Sequence, residues 1–453
     1  MRVAGSGPAR APVPVVEATP PAGWLARIRV RQSTAVPPGT VAVGGVLVVL
    51  GVASYGYLIV AARALTPAQF ARIAVVWTVL FTVGPGLFLP LEQDISRRLA
   101  AAGRFARPVV TRAAAVGLGL LVVLAGLSAA FGGPIGRRLL GGDVALFAAM
   151  LAAVAALVVV HTSRGVLAGI GAFRRYGYQL AADGLARVGA AAALLGLAVH
   201  AESWYGWVLL LSQLVAVLLS VLGLRVPAEA THPATGAPEP PAAAPAWSTL
   251  AGSLGWLLVT ALAAQILANG GTVAVKALAR PDDAAAAHFL TALVLARVPL
   301  FLFAALQASL LPRMARLVAA GDLAALGGLL RRLLVLLTAL GTVATLGLLA
   351  VGPDITVLLF GANYDIARWP LVLLSVGSTC FVLASACAQT VIAFDRVGAV
   401  AAAWTVGVVV FLAVLAVPLS LDQRAGYSLL AGSVVVLLGS VALLAREFRR
   451  APA

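Results

Sequence analysis

Apolar residues in this chain come in nearly unbroken runs of about twenty, separated by short polar or Gly- and Pro-bearing connections. Hydrocarbon offers no hydrogen bonds, so a segment of that length satisfies its own backbone as a helix that crosses a bilayer. Twelve such runs predict twelve spanning helices. The first six lie near residues 41–62, 70–91, 110–131, 144–166, 179–200 and 204–224. The second six lie near 249–271, 289–311, 330–351, 366–391, 397–419 and 426–444. Residues 225–248, RVPAEATHPATGAPEPPAAAPAWS, are rich in Pro and Ala and read as a cytoplasmic linker between the two sets. The pattern predicts an all-α polytopic membrane protein, with one six-helix bundle over 41–224 and another over 249–445 around a central cleft. A tail of residues 1–40 precedes them and a short one of 446–453 follows.

A repeated decamer supports that division. GPIGRRLLGG, residues 133–142, follows the third run, and GPDITVLLFG, residues 352–361, follows the ninth. Upstream of each stands a basic segment with an AAG triplet, SRRLAAAGRFAR before the first copy and RMARLVAAGD before the second. Equal ordinal position in the two sets points to duplication, a parallel repeat about an axis along the membrane normal. Both decamers are expected to form the connection between two spans.

Composition narrows the class. Of 453 residues, 62% are hydrophobic and 11% charged, against roughly a quarter charged in ordinary soluble domains. The net charge of +16 does not indicate nucleic acid, because the basic residues mostly border spans and no aromatic-interleaved basic patch occurs. There they meet anionic head groups and fix topology. The bias places both termini in the cytoplasm of a multi-pass protein of the cell (plasma) membrane. Arg137 and Arg138 fall on the outside, against it. The tail carries WLARIRVR, residues 24–31, and is expected to be disordered with an interfacial stretch. Cys380 and Cys387, seven apart on one predicted helix, read as buried thiols rather than a disulfide.

Ionisable groups inside spans are costly unless they pair or face water, so they mark a transport path. Asp183 and Arg187 share one face of the fifth predicted helix. Arg297 lies deep in the eighth, just before Pro299, which would loosen that helix. The functional reading is a water-filled cationic cleft in which an Arg fork takes a diphosphate head group. The structural reading makes Asp183 and Arg187 a satisfied pair and has Arg297 bond helix carbonyls. In the seventh helix Gln265, Asn269, Gly270 and Gly271 either break the helix toward a sugar or cap its outer end. Lys276, the sole lysine, stands at the outer mouth. Glu92 and Asp94 are expected in interfacial pairs with Arg97 and Arg98, which leaves the first, second and seventh helices without an interior acid. The candidate substrate-binding set is therefore Arg297, Arg187, Asp183, Asn269, Gln265 and Lys276. No catalytic residue, metal site or cofactor is expected, since His161, His200, His232 and His288 are scattered and GxSxG, HExxH and DxD are absent.

Four stretches carry a family likeness: ARALTPAQFARIAVVWTVLF, RGVLAGIGAFRRYGYQLAADGLARVG, LARVPLFLFAALQASLLPRMARL and LLFGANYDIARWPLVLL. Together they resemble the polysaccharide-exporter branch of the multidrug/oligosaccharidyl-lipid/polysaccharide (MOP) flippases, over residues 41–444. The chain departs from the pattern at Ala71, where relatives commonly place Gly. The resemblance implies a flippase that moves an undecaprenyl-diphosphate-type, lipid-linked oligosaccharide to the outer leaflet by alternating access. It also implies contact with membrane lipids and with polysaccharide polymerase or glycosyltransferases, by a monomer. A cation-coupled multidrug antiporter of the same superfamily is the first alternative, and a membrane glycosyltransferase or ligase the second.

Overall fold

The computed structural model describes residues 40–103, 105–222, 247–280, 283–297, 313–314 and 316–450. The N-terminal tail, nearly all of the Pro/Ala linker and Pro299 lie outside them.

Helices follow one another in the predicted order: α1 (Thr40–Ala64), α2 (Pro67–Ala102), α3 (Arg107–Leu140), α4 (Val144–Gly169), α5 (Phe173–Gly196) and α6 (Glu202–Val221) form the first set. The second set is α7 (Trp247–Leu278), α8 (Ala285–Ala296), α9 (Leu323–Phe360), α10 (Arg368–Ala393), α11 (Val397–Leu415) and α12 (Leu421–Arg450). There is no strand among the described residues. Among the described residues nine helices, α2–α4, α6, α7 and α9–α12, are long and apolar enough to cross a membrane. In α5 the mid-helix Asp183 and Arg187 dilute the apolar run. The protein is a multi-pass membrane protein.

Several predicted boundaries shift. The decamers are not connections. Residues 133–140 are the last two turns of α3, residues 352–360 those of α9, and Pro134 and Pro353 both sit inside helix. Each helix then stops at a glycine with positive φ, Gly141 at 64° and Gly361 at 107°, which side chains with a Cβ adopt only under strain. α7 runs unbroken through Gln265, Asn269, Gly270 and Gly271 to Leu278, so these residues neither break nor cap it. The two glycines are packing positions instead. A Cβ on Gly271 would lie 2.7 Å from the Phe289 ring of α8, and one on Gly270 would lie 3.7 Å from Phe411 of α11. α12 extends to Arg450, so most of the expected 446–453 tail is helical. The turn into α2 is fixed by a capping box, with Thr66 and Gln69 bonding each other's backbone ahead of Pro67 at the first helical position. Ala71 lies past that turn, inside α2 and fully buried.

The helix packings of the two halves correspond. In the first half α1 packs on α5, α5 on α6, α6 on α4, and α4 on both α2 and α3. In the second, α7 packs on α11, α11 on α12, α12 on α10, and α10 on both α8 and α9. These five packings coincide when each helix is matched to the one six places later; α7 also packs on α12, a contact without a comparable α1–α6 counterpart. Small residues permit the close approaches, as expected where lipid supplies no hydrophobic drive between helices. A Cβ on Gly165 of α4 would lie 2.8 Å from the Glu92 carbonyl of α2, and one on Gly169 would lie 2.7 Å from Leu99 Cβ. Between the halves, α2 meets α7 and α8. At that seam α2 contains a π-helical turn, Gly84–Phe88, whose Gly86 sits against the backbone of Leu262 in α7.

Candidate functional site

Polar groups gather in four places, one of them in the seam. Arg297 caps the C-terminal end of α8, about 18 Å along that helix from its start. Its guanidinium donates from Nη1 to Asn269 Oδ1 at 2.7 Å and from Nη2 to the carbonyl of Ala268. Asn269 in turn donates to Gln265 Oε1 at 2.8 Å and, across the seam, to the Phe81 carbonyl of α2 at 3.2 Å. Gln265, Asn269 and Arg297 thus form one node. Among the described residues no carboxylate pairs with Arg297, so neutral oxygens hold its charge.

The second cluster lies inside the first bundle. Arg187 Nη2 donates to Asp183 Oδ1 at 2.6 Å, Ser212 donates to the same oxygen at 2.9 Å, and Arg164 reaches Oδ2 at 3.4 Å. Arg187 also donates to Ser54 at 3.2 Å and lies over the Trp77 and Phe81 rings, 5.5 and 5.9 Å from their centroids. Asp183 and Arg187 are both buried and their charges compensated. The predicted set therefore divides: Phe81 touches both clusters, through its ring on one side and its carbonyl on the other, yet the two arginines do not share a site.

The third place is the face that carries the α1–α2, α3–α4 and α9–α10 turns, the one the basic-residue bias predicts to be outer. Lys276 is found here, buried in the last turn of α7 rather than at an open mouth, with Nζ 3.4 Å from the Asp283 carbonyl. Arg72 of α2 forks onto Glu202 of α6, with Nη2 at 2.7 Å. The two halves are tied by arginines. Arg138, at the end of α3, donates to the carbonyls of Ala277 and Ala279 at 3.1 and 3.0 Å. Arg63, at the end of α1, donates to the Leu359 carbonyl at 2.8 Å and also to that of Leu358. These carbonyls belong to the ends of α7 and α9, where no further helical turn satisfies them. The ring of Tyr364 meets Phe70 of α2 edge-on, with centroids 5.9 Å apart. The acceptors of Arg138, which the sequence places against the basic bias, are supplied by the other half's α7 terminus.

The fourth cluster corrects the expectation for Glu92. Asp94 does pair with Arg97 and Arg98, at 2.7 and 2.6 Å. Glu92 instead turns inward, where its Oε2 lies 2.7 Å from His161 Nδ1 of α4 and Tyr176 of α5 donates to Oε1 at 2.9 Å. Glu92 and His161 are buried. α2 thus carries an interior acid, contrary to expectation. The His161 ring stacks on Phe88 of the π-helical turn, 6.3 Å between centroids. A lone His within the apolar run of α4 was the available signal. No cluster of three or more His, Cys, Asp or Glu side chains suited to a metal occurs among the described residues.

No family model matches the chain. Uncharacterized proteins of Mycobacterium tuberculosis and Mycobacterium bovis are 28% identical over 430 residues, which cover 91% of this chain and 93% of theirs. Among solved structures, a multidrug resistance MATE family transporter of the MOP superfamily matches in its inward-facing conformation with a TM-score of 0.66. That match has 12% identity and covers 88% of this chain and 94% of the other. An outward-facing structure of a MATE family transporter of this superfamily gives 0.63 at 13% identity, over 92% and 98% of the two chains. A mutant MATE transporter of Vibrio cholerae also gives 0.63, at 14% identity over 91% and 98%. The fold is that of MATE transporters, two bundles around a central seam.

Proposed function

We propose that this protein is a flippase that carries a lipid-linked, undecaprenyl-diphosphate-type oligosaccharide or polysaccharide precursor across the cytoplasmic membrane. Alternating access of the two bundles moves it from the inner to the outer leaflet. The observation that carries this reading is Arg297: a guanidinium in the seam, about 18 Å along α8, held by neutral oxygens and by no carboxylate among the described residues. A cation so placed attracts an anionic head group, and its planar fork suits a diphosphate. The inter-half bonds at the outer face suit a state closed to the outside, in which substrate enters from the cytoplasm. On this reading the protein works without cofactor or metal, as a monomer and not as an enzyme, beside the polymerase or glycosyltransferases that make and use its substrate. Both termini and the linker are cytoplasmic.

The test is an Arg297 series in cells that depend on the protein for surface polysaccharide. Arg297→Ala at normal protein level abolishes export and leaves lipid-linked precursor beyond the reach of impermeant periodate. Arg297→Lys retains part of the export, because charge survives while the fork is lost. Full export by a well-expressed Arg297→Ala protein rules the assignment out. A ligase would leave its precursor where the reagent reaches it.

A second reading, a cation-coupled multidrug antiporter, is favoured by one observation. The buried Glu92–His161 pair is a place where a coupling proton can be held, next to the π-helical turn that packs on α7. The solved structures of this fold named above are multidrug resistance and MATE transporters by description. Unchanged surface polysaccharide together with increased sensitivity to cationic drugs in depleted cells decides for this reading.

A further inference from the structure

The second bundle carries a groove that the transport path does not use. On one side of α9, residues Gly327, Arg331, Leu334, Val335 and Thr338 recur at helical spacing and, with Phe448 of α12, line an open depression of about 620 Å³. Its walls are apolar except for Arg331 and Thr338. A Cβ on Gly327 would lie 3.6 Å from the Phe448 ring, so the missing side chain keeps this end of the slot open. From Gly327 to Ala339, the last lining residue, the groove runs about 18 Å along the helix. One leaflet of a bilayer is about 15 Å of hydrocarbon deep.

Arg331 stands near the end of the slot closest to the start of α9, exposed and with no carboxylate partner among the described residues. The acid beside Phe448, Glu447, is already engaged by Arg396 at 3.2 Å and by Arg450 at 3.4 Å. Arg332, Arg446 and Arg449 are exposed at the same ends of α9 and α12. An apolar slot as long as one leaflet, closed at its interfacial end by an uncompensated guanidinium, has the shape and charge of a phospholipid with an anionic head group. Basic pockets between spanning helices bind such head groups.

We propose that the α9–α12 groove is a binding site for one anionic phospholipid of the bilayer, with its phosphate on Arg331 and an acyl chain along Leu334, Val335 and Thr338. The site does not depend on what the protein transports.

Native mass spectrometry of the full-length protein, released from micelles containing equimolar dioleoyl-phosphatidylglycerol and dioleoyl-phosphatidylcholine, tests it. Wild type retains phosphatidylglycerol, the anionic one of the two, preferentially. Arg331→Ala lowers that preference about fivefold, the effect of one arginine at a membrane surface. Gly327→Leu fills the slot and lowers retention of both lipids. Arg331→Ala replaces an exposed side chain, so it carries the test even if Gly327→Leu fails to fold. Equal retention of the two lipids by wild type, or a preference that survives Arg331→Ala, overturns the proposal. Added undecaprenyl phosphate that displaces phosphatidylglycerol from wild type but not from Arg297→Ala would also overturn it, by making the groove part of the transport path.

Discussion

On the proposed reading alternating access requires the outer face to open, and the four inter-half bonds made by Arg63 and Arg138 are among the contacts set against opening, beside the Tyr364–Phe70 ring contact. Each guanidinium makes two bonds to carbonyls at a helix end of the other half. Bonds of this kind contribute roughly 0.5 to 1 kcal/mol each where water competes, so each arginine holds the face closed by about 1–2 kcal/mol. The double variant Arg63→Ala/Arg138→Ala should then shift the closed-to-open ratio by roughly 30- to 1,000-fold, at about 1.4 kcal/mol per factor of ten. Each single variant should shift it about 5- to 30-fold. Spin labels at Val144, exposed at the start of α4, and Leu419, exposed in the α11–α12 connection, report the separation by pulsed electron resonance once Cys380 and Cys387 are replaced by serine. The double variant should lengthen the distance. Arg137→Ala, beside Arg138 but with no inter-half bond among the described residues, should leave it unchanged. An unmoved distribution in the double variant, with the protein folded, would refute the view that these arginines latch the halves.

Two further outcomes follow from the packing and from the buried pair. Gly165→Val should cost about 1–3 kcal/mol of thermal stability, because the new side chain meets the Glu92 carbonyl and Ile95. Gly126→Ala, in α3 with nothing within 4 Å of its Cβ position, should be neutral or slightly stabilising, and a melting series in detergent separates the two. Glu92→Gln keeps the shape of the carboxyl and its contact with Tyr176 while removing its charge. If the pair holds a coupling proton, the variant should transport in proteoliposomes at a rate indifferent to an imposed pH gradient. A gradient response equal to wild type would remove the coupled reading.

The helices were legible because the bilayer imposes a length and a composition that no soluble core needs. Their ends were not. An apolar run records how far hydrocarbon extends, whereas α3 and α9 continue beyond it, about 51 and 57 Å long by residue count. Gly-Pro at the start of each decamer reads as a breaker, yet a proline inside a spanning helix is tolerated where neighbours re-satisfy the backbone. The real stops, Gly141 and Gly361, come at the other end of each decamer. Within the site, Asp183 with Arg187 was visible from a spacing of four. The bond from Asn269 to Phe81 was not, since no local pattern encodes a contact between helices 188 residues apart in sequence. Glu92 was misplaced because Arg97 and Arg98 offered partners on its own helix, and Asp94 takes both.

The repeated decamers end α3 and α9, and these ends meet the opposite halves in matching ways: Arg138 of the first decamer reaches the end of α7, and the carbonyls of Leu358 and Leu359 in the second receive Arg63 from the end of α1. Matching each helix to the one six places later, α3 on α7 is the counterpart of α9 on α1, so one duplicated element closes the outer face twice about the same axis. The interior does not keep this symmetry. In the first bundle Asp183 neutralises Arg187 within the packed core, and in the second Arg297 meets only neutral oxygens on the seam among the described residues. The two halves thus share the main helix packings and a closing contact between corresponding helices, with donor and acceptor exchanged. On the proposed reading the charge without a carboxylate partner among the described residues lies where the bundles part, and a site that binds an anion in one state and releases it in the other is best placed there, since opening of the seam would change what surrounds Arg297 and leave Arg187 inside its bundle.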